Sequence, residues 1–336
     1  MPSTPDVSVL IPVLNEELHI RDTVATMLAQ ELDGLTLELI FADGRSSDRT
    51  KAILEEMSAA DERIVVVDNP SRTTAAGLNA CLRAARGRYV ARMDAHSYFP
   101  TRYLAAGIER LEQGDDTVWV AGPVVPRGRG GLSASVAYAL GTRLGVGGSS
   151  KWRLNADGEP AEEVELDTGV FAGVWRRETV DQHGGWDDAW PVNQDSELAA
   201  RVIAGGGRIV SRAEMAAEYL PRDNLKALWR QYWRHGFYRA KTSCRHRSTL
   251  RPTHFLPPAV AVCAVLSLLG PTRALRRLAR TGVGLYGGAL AVTAVDAARS
   301  TPLSVAGPLP AVLATMHLAW GLGFIAGWTR YGLDRP

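Results

Sequence analysis

The chain reads as an α/β protein, a parallel sheet with helices on both faces, that ends in a helical membrane segment. Three observations predict this. Short apolar runs rich in β-branched residues alternate with stretches of helical spacing through the first third of the chain. Small polar clusters recur just behind those runs. The last third turns apolar and loses most of its charge.

Residues 7–13 form a continuous β-branched run, the pattern of a strand buried on both faces. Residues 18–30 have helical spacing, 37–42 read as a strand, and 48–57 as a helix capped by Ser46 or Ser47. Residues 64–67, 74–86 and 89–93 continue as strand, helix and strand. Crossovers of one hand between such strands make them parallel, so their carboxyl ends share one edge. Asn15-Glu16-Glu17, Asp43-Gly44 and Asp94-x-His96 then fall on a single rim, where open α/β sheets bind their ligands. The chain carries no G-x-G-x-x-G or Walker motif, which leaves the usual dinucleotide and P-loop modes unsupported.

The segment 89–100, YVARMDAHSYFP, runs from a strand straight into Asp94 and His96. Side chains at i and i+2 of an extended segment point the same way, so a carboxylate and an imidazole can converge there on a divalent cation gripping a diphosphate. The alternative is structural: Asp94 caps the next helix and His96 is merely exposed. The triplet alone does not choose between them.

With 336 residues, 46% hydrophobic and 22% charged, the chain is too apolar for disorder and long enough for one large domain or two. From Arg251 onward it holds eight Arg, no Lys and two acids; the remaining surplus of acids in residues 1–250 argues against nucleic acid as a partner. Cys81, Cys244 and Cys263 are far apart and form no C-x-x-C, which suggests a reducing compartment and no zinc site. The amino terminus has no basic leader, so the first domain is expected on the cytoplasmic side.

The expected organisation is a catalytic domain over 1–250 and membrane-associated helices over 251–336, with hydrophobic segments at 256–270, 281–298 and 301–329. Only the last comfortably exceeds the roughly 20 residues that cross a bilayer. Were all three to span, the loop with Arg273, Arg276, Arg277 and Arg280 would lie outside, against the positive-inside tendency. Letting 256–270 lie along or re-enter the membrane keeps that loop inside and makes the other two a hairpin, in keeping with Pro257, Pro258 and Pro271. The expected location is a multi-pass protein of the inner, cytoplasmic membrane.

IPVLNEE, FADGRSSDRT, YVARMDAH, GGWDDAW with NQDSEL, and RQYWRHG follow one another across residues 7–241. In that order they resemble the family-two glycosyltransferases, whose fold is the nucleotide-diphospho-sugar transferase (GT-A, Rossmann-like) domain. The D-A-H in place of the usual D-x-D, and the tail that begins at Ala314, are similar to the succinoglycan-biosynthesis glucosyltransferase branch.

The resemblance implies roles. Glu16 and Asp43 correspond to contacts with the nucleotide base and ribose, for which carboxylates are suitable acceptors. Pro12, Asn15 and Arg72 join them in the donor site. Glu16 or Glu17 could instead serve the first turn of the next helix, and Asp43 a turn with Gly44. Asp94 and His96 would hold the cation that neutralises the leaving diphosphate; the imidazole favours Mn²⁺ over Mg²⁺. Another possibility is that His96 touches phosphate directly. Asp195 matches the general base on the acceptor hydroxyl, and a single carboxylate without a nucleophilic partner implies in-line displacement with inversion. Gln194 stands where the family usually has Glu. Structurally, Asp195 could be only a helix N-terminal charge.

Arg230, Gln231 and Arg234 look like a drifted Q-x-x-R-W signature that would hold phosphate oxygens, with Trp229 or Trp233 beneath a sugar. The same segment also reads as a basic amphipathic helix on anionic lipid, with His235, Arg239 and Lys241 interfacial. The glycine-rich stretch around Arg127 and Arg129, Gly128 to Gly148, reads as a mobile acceptor loop or, in the first place, a linker. Trp119, Trp152, Trp175 and Trp186 read as core, with Trp186 and Trp190, beside the acid, the two candidates for sugar stacking. His317 is a polar residue in lipid that one hydrogen bond between helices would satisfy.

The resulting expectation is metal-dependent transfer of a hexose, glucose in the first place, from a UDP-sugar to a lipid-linked saccharide. The alternatives are transfer to polyprenyl phosphate itself and, outside enzymes, a non-catalytic scaffold subunit of a polysaccharide assembly complex.

Overall fold

The computed structural model describes residues 4–95, 97–147 and 162–332, so His96, Gly148 and Trp152 lie outside the described residues. Its contacts divide the chain into two compact units, residues 1–125 with 153–219, and residues 126–152 with 220–336. The expected boundary at 250 differs from this division, which groups residues 220–250 with the apolar helices.

The chain begins β1 (Val7–Val13), α1 (Ile20–Leu28), β2 (Leu37–Asp43), α2 (Thr50–Ala60), β3 (Ile64–Asp68), α3 (Thr74–Ala84), β4 (Tyr89–Arg92). It continues β5 (Ser97–Tyr98), α4 (Tyr103–Leu111), β6 (Thr117–Ala121), β7 (Val124–Pro126), α5 (Gly131–Gly141), α6 (Arg143–Val146). Then follow β8 (Glu163–Glu165), β9 (Gly173–Arg176), α7 (Arg177–Gln182), α8 (Gln194–Ala204), β10 (Arg208–Arg212) and β11 (Ala217–Tyr219).

In the first unit the main sheet has the order β3-β2-β1-β4-β9-β6-β10-β8. β1 is parallel to β2 and β4, and β2 to β3, as the alternation predicts. Val9, Leu39 and Phe41 are fully buried in its core, the burial that makes a continuous apolar run pay no penalty for lacking polar alternation. Beyond β4 the sheet becomes mixed: β9 runs antiparallel between β4 and β6, and β8 antiparallel at the edge. Gly173 lets β9 enter there, since a Cβ at that position would come within 2.2 Å of the Trp119 indole nitrogen. Trp119, Trp175, Trp186 and Trp190 are all buried, with Trp186 edge-on to Trp175 at 5.8 Å. Their burial removes Trp186 and Trp190 as exposed platforms for a sugar.

The Ser46 or Ser47 cap of α2 is also corrected. The residue before the helix is Arg49, with no side-chain cap. Asp48 instead accepts from the Thr50 N–H at 3.0 Å and from the Glu17 N–H at 3.2 Å. The two serines reach across to the loop after β1, as described below.

At the far side of the first unit, Arg110 on α4 donates to both oxygens of Asp115 and of Glu163, at 2.8 to 3.1 Å. Arg110 and the Thr117 N–H hold the Asp115 carboxyl well below its ordinary value of 3.8. A depressed carboxyl contributes its full stability above the ordinary value and loses it as pH falls below. Asp115 is 37% exposed and also pairs with Arg208, so Arg110→Met should cost only on the order of 1 kcal/mol at neutral pH, a deficit that shrinks below about pH 4; urea unfolding at both pH values checks it.

The second unit joins α5 and α6 to α9 (Leu225–Arg245), α10 (Leu256–Leu269), α11 (Arg273–Ser300), α12 (Leu303–Ala306) and α13 (Leu309–Tyr331). The linker reading of the glycine-rich stretch fails here. α5 packs on α12 and α13, and Ser135 Oγ donates to the Val305 carbonyl at 2.6 Å. His317 on α13 lies 2.8 Å from the Tyr286 hydroxyl through Nδ1 and 2.9 Å from the Leu144 carbonyl through Nε2. The carbonyl can only accept, so Nε2 carries the proton and Nδ1 accepts from the tyrosine. Among the described residues three helices are long and apolar enough to cross a membrane, Pro252–Leu269, Arg273–Ser300 and Leu303–Tyr331. Arg276 and Arg280 fold back to the end of α10, donating to the Gly270 and Ser267 carbonyls at 2.6 and 3.1 Å.

α9 lies along α13 with backbone almost touching backbone. A Cβ at Gly236 would sit 2.0 Å from the Trp320 carbonyl oxygen, one at Gly323 2.2 Å from that of Trp233, and one at Gly327 2.3 Å from that of Phe237. Gly323→Leu should force the two helices apart and cost about 1–3 kcal/mol, read as a lower unfolding midpoint of the detergent-solubilised protein. Gly284→Leu on α11, where nothing lies within 4 Å, should leave it unchanged.

Candidate active site at the carboxyl edge of the sheet

Because β1 to β4 are parallel, the residues that follow them share one edge. Asp43 closes β2, opposite Val13 of β1, and Asp68 closes β3 opposite Asp43. Pro12 lies one residue earlier on β1, beside Ala42. Asn15, just past β1, takes a left-handed backbone with φ 58°. Its N–H donates to Ser46 Oγ at 2.9 Å and its Oδ1 accepts from the Ser47 N–H at 2.8 Å. The loops after β1 and β2 are thereby tied into one surface. Asp43 is buried and accepts from the Ser46 N–H, at 3.3 and 3.2 Å to its two oxygens.

Glu16 and Glu17 are told apart by their partners. The Glu17 carboxylate accepts from the Arg49 N–H at 2.9 Å, at the start of α2, so it serves a helix entrance as the structural alternative supposed, though of α2 rather than α1. Glu16 is half-buried, and its N–H donates to Thr50 Oγ1 at 2.7 Å. Arg72 is exposed in the turn after β3, with φ 57° and its N–H donating to the Asn69 carbonyl at 3.1 Å.

Asp94 follows β4 in a turn fixed from two sides: its own carbonyl accepts from the Ser97 N–H at 3.1 Å, and that of Ala95 from Thr23 Oγ1 on α1 at 2.5 Å. Asp195 is the second residue of α8. It is held in place from behind by Gly169, where a Cβ would lie 2.2 Å from the Asp195 carbonyl oxygen. The turn that leads into α8 is strapped down as well. Arg201, paired with the fully buried Glu197, donates to the His183 and Gly185 carbonyls. Asn79 on α3 accepts from the Trp186 N–H at 3.0 Å and donates to its carbonyl at 2.6 Å.

Arg92, the last residue of β4, joins the two acids. Its Nε and Nη2 donate to the two oxygens of Asp94 at 2.8 and 3.0 Å, and its Nη1 to Asp195 Oδ1 at 2.5 Å. The guanidinium is 4% exposed and the carboxylates 17% and 15%. Burial works against the charge on Arg92, but Asp195 and Asp94 outweigh it and raise the guanidinium further above its ordinary value. One buried cation between two carboxylates leaves the group with one net negative charge. Gln194 adds a donor, with Nε2 at 3.4 Å from the second oxygen of Asp195.

The edge thus gathers Asn15, Glu16, Asp43 and Asp94, and the Arg92 bridge adds Asp195 to them. Arg230, Gln231 and Arg234 stand on α9 in the second unit. Arg92 is the residue that sequence reasoning missed. Its signal was present, an arginine in an apolar strand two residues before the aspartate, where a buried strand has no use for a lone charge.

No three His, Cys, Asp or Glu side chains among the described residues could hold a metal by themselves. A hard cation that binds chiefly through substrate phosphate and water needs only one or two carboxylates. A carboxylate has about four acceptor positions, and Arg92 takes two of those of Asp94. The donor set at Asp94 therefore fits a cation brought in with a diphosphate; His96 is outside the described residues.

Residues 8–174 match the family model Glycosyl transferase family 2. The succinoglycan biosynthesis protein ExoA of Rhizobium meliloti (strain 1021) is 34% identical over 322 residues, 94% of this chain and 93% of that protein. The chain belongs to glycosyl transferase family 2. A second relative is a dolichyl N-acetyl-alpha-D-glucosaminyl phosphate 3-beta-D-2,3-diacetamido-2,3-dideoxy-beta-D-glucuronosyltransferase of Methanococcus voltae. It is 22% identical over 231 residues, 67% of this chain and 70% of that one. Among solved structures, the mannosyltransferase PcManGT of Pyrobaculum calidifontis, in complex with GDP-Man and Mn²⁺, superposes with a TM-score of 0.56 at 19% identity. It covers 100% of this chain and 89% of that one. The likeness is one of fold, and it agrees with a GT-A sheet in this chain.

Gly169→Ala tests how closely Asp195 is positioned. The added methyl group would lie 2.2 Å from the Asp195 carbonyl oxygen and 2.8 Å from the Trp119 ring, so the start of α8 has to shift. On the role the resemblance implies for Asp195, a displacement of about 1 Å at a reacting group costs on the order of 100-fold, so kcat is expected to fall by that order while nucleotide binding is retained; steady-state kinetics with calorimetry of the nucleotide checks both.

Proposed function

We propose that the protein transfers glucose from UDP-glucose, with inversion, to a lipid-linked saccharide in the biosynthesis of a cell-surface or extracellular polysaccharide. The observation that carries this reading is the meeting of Asp94 and Asp195 on Arg92 at the edge where Asp43 and Glu16 also lie. The similarity to a succinoglycan biosynthesis protein over nearly the whole chain supports the polysaccharide, and the apolar helices support an acceptor that resides in lipid. The catalytic unit works at the cytoplasmic face of a membrane that the helices cross more than once.

In this reading Glu16 and Asp43 accept hydrogen bonds from the uracil and ribose, with Pro12, Asn15 and Arg72 completing the donor site. Asp94 holds a divalent cation, Mn²⁺ in preference to Mg²⁺, alone or with His96. The cation supplies Lewis-acid stabilisation of the departing diphosphate. Asp195 takes the proton from the acceptor hydroxyl as its oxygen attacks the anomeric carbon from the side opposite the diphosphate. The bond to the diphosphate breaks as the new glycosidic bond forms, and an α-linked donor gives a β-glycoside. Arg230, Gln231 and Arg234 bind phosphate oxygens of donor or acceptor.

The test is release of UDP by the full-length protein in lipid nanodiscs, screened over UDP-sugars with Mn²⁺, Mg²⁺ or EDTA. UDP-glucose with Mn²⁺ should be the productive pair. Asp195→Asn should lower kcat by roughly 10²- to 10⁴-fold while UDP still binds. Turnover at the wild-type rate in Asp195→Asn would remove the base from Asp195, and release from no UDP-sugar would overturn the donor.

A further inference from the structure

Arg92 stands in a place that the transfer reaction alone does not explain. A charged side chain buried at the end of a strand is costly unless its partners repay the loss of water. Arg92 has two, and they come from opposite roles: Asp94 on the side of the diphosphate and Asp195 on the side of the acceptor. All three donor-bearing nitrogens are in use at once, Nε and Nη2 on Asp94 and Nη1 on Asp195. One rigid, planar group therefore fixes the distance and orientation between the two carboxylates.

The same arrangement sets a condition on any cation that comes to Asp94. Two positive charges arriving beside a buried guanidinium are repelled, and weakly screened at this depth. Asp195 is what lets the guanidinium give way, because it offers a second carboxylate already within hydrogen-bond distance. We propose that Arg92 is a positioning residue that couples the two acids: uptake of a divalent cation at Asp94 draws the guanidinium toward Asp195, and the charge on Asp195 in turn assists that uptake. This rests on the reading of Asp94 as the cation-holding residue. Coupling of this kind is reciprocal, so whatever binds at one carboxylate is felt at the other.

The coupling is measured without turnover, by Mn²⁺ titration of the full-length protein followed by electron paramagnetic resonance, with and without UDP. The proteins are wild type, Asp195→Asn, Arg92→Gln and Arg92→Gln/Asp195→Asn. Asp195→Asn should weaken Mn²⁺ roughly five-fold or more in the wild-type background, because the guanidinium is left with Asp94 alone. Arg92→Gln should tighten Mn²⁺, and in that background Asp195→Asn should have little further effect. Should Arg92→Gln fail to fold, Arg92→Lys replaces it in the cycle; it keeps the buried charge but lacks the fork that holds both acids, so the Asp195→Asn effect should again shrink. A purely Coulombic influence of Asp195 would be the same size or larger without the guanidinium. Equal effects of Asp195→Asn in both backgrounds would overturn the coupling and leave the cation at Asp94 standing. No Mn²⁺ binding by wild type, with or without UDP, would overturn both.

Discussion

A single buried guanidinium, held by carboxylates from β4's end and α8's start, is the interaction on which the site depends. Both acids are largely shielded from water, and two of them facing one another would repel. With Arg92 between them the cost of burial is offset, and the distance between the two acids becomes a property of a rigid side chain rather than of two loops. The surrounding structure serves this: Gly169 and the Arg201 strap fix α8, and Thr23 fixes the turn that carries Asp94.

Much of the first half of the fold was legible in the sequence because it is local. The strands at 7–13, 37–43 and 64–68 announce themselves by short, largely apolar runs, and the helices between them by spacing, so the shared carboxyl edge followed from chain order alone. β9 was not legible. Whether GVWR runs parallel or antiparallel is settled by which neighbours it finds, and those are 50 and more residues away in sequence. The same limit hid the second unit's use of α5, whose glycine-rich surroundings look like a connection until α12 and α13 are there to pack on it.

Within the site, residue types spoke more clearly than their partners. Asp43, Asp94 and Asp195 were recognisable as acids at strand and helix ends, yet Ser46 and Ser47 were read as a helix cap when they tie two loops together through Asn15. A serine before a helix fits either use, and only a residue 31 or 32 positions away decides it. Trp186 and Trp190 show the converse: aromatic side chains beside an acid suggest a sugar platform, but burial had already claimed both.

The division of the chain after Val125 and before Arg153 has a practical side. A soluble fragment cut at 250, the natural choice from hydropathy, would keep α5 while discarding α12 and α13, and would strand Val136, Ala139 and Leu140, now buried, against solvent. Such a fragment invites aggregation for reasons unrelated to its sheet. Replacing 126–152 by a flexible polar linker and ending near Tyr219 would remove both halves of the second unit together, and is the better starting point for a water-soluble version of the first.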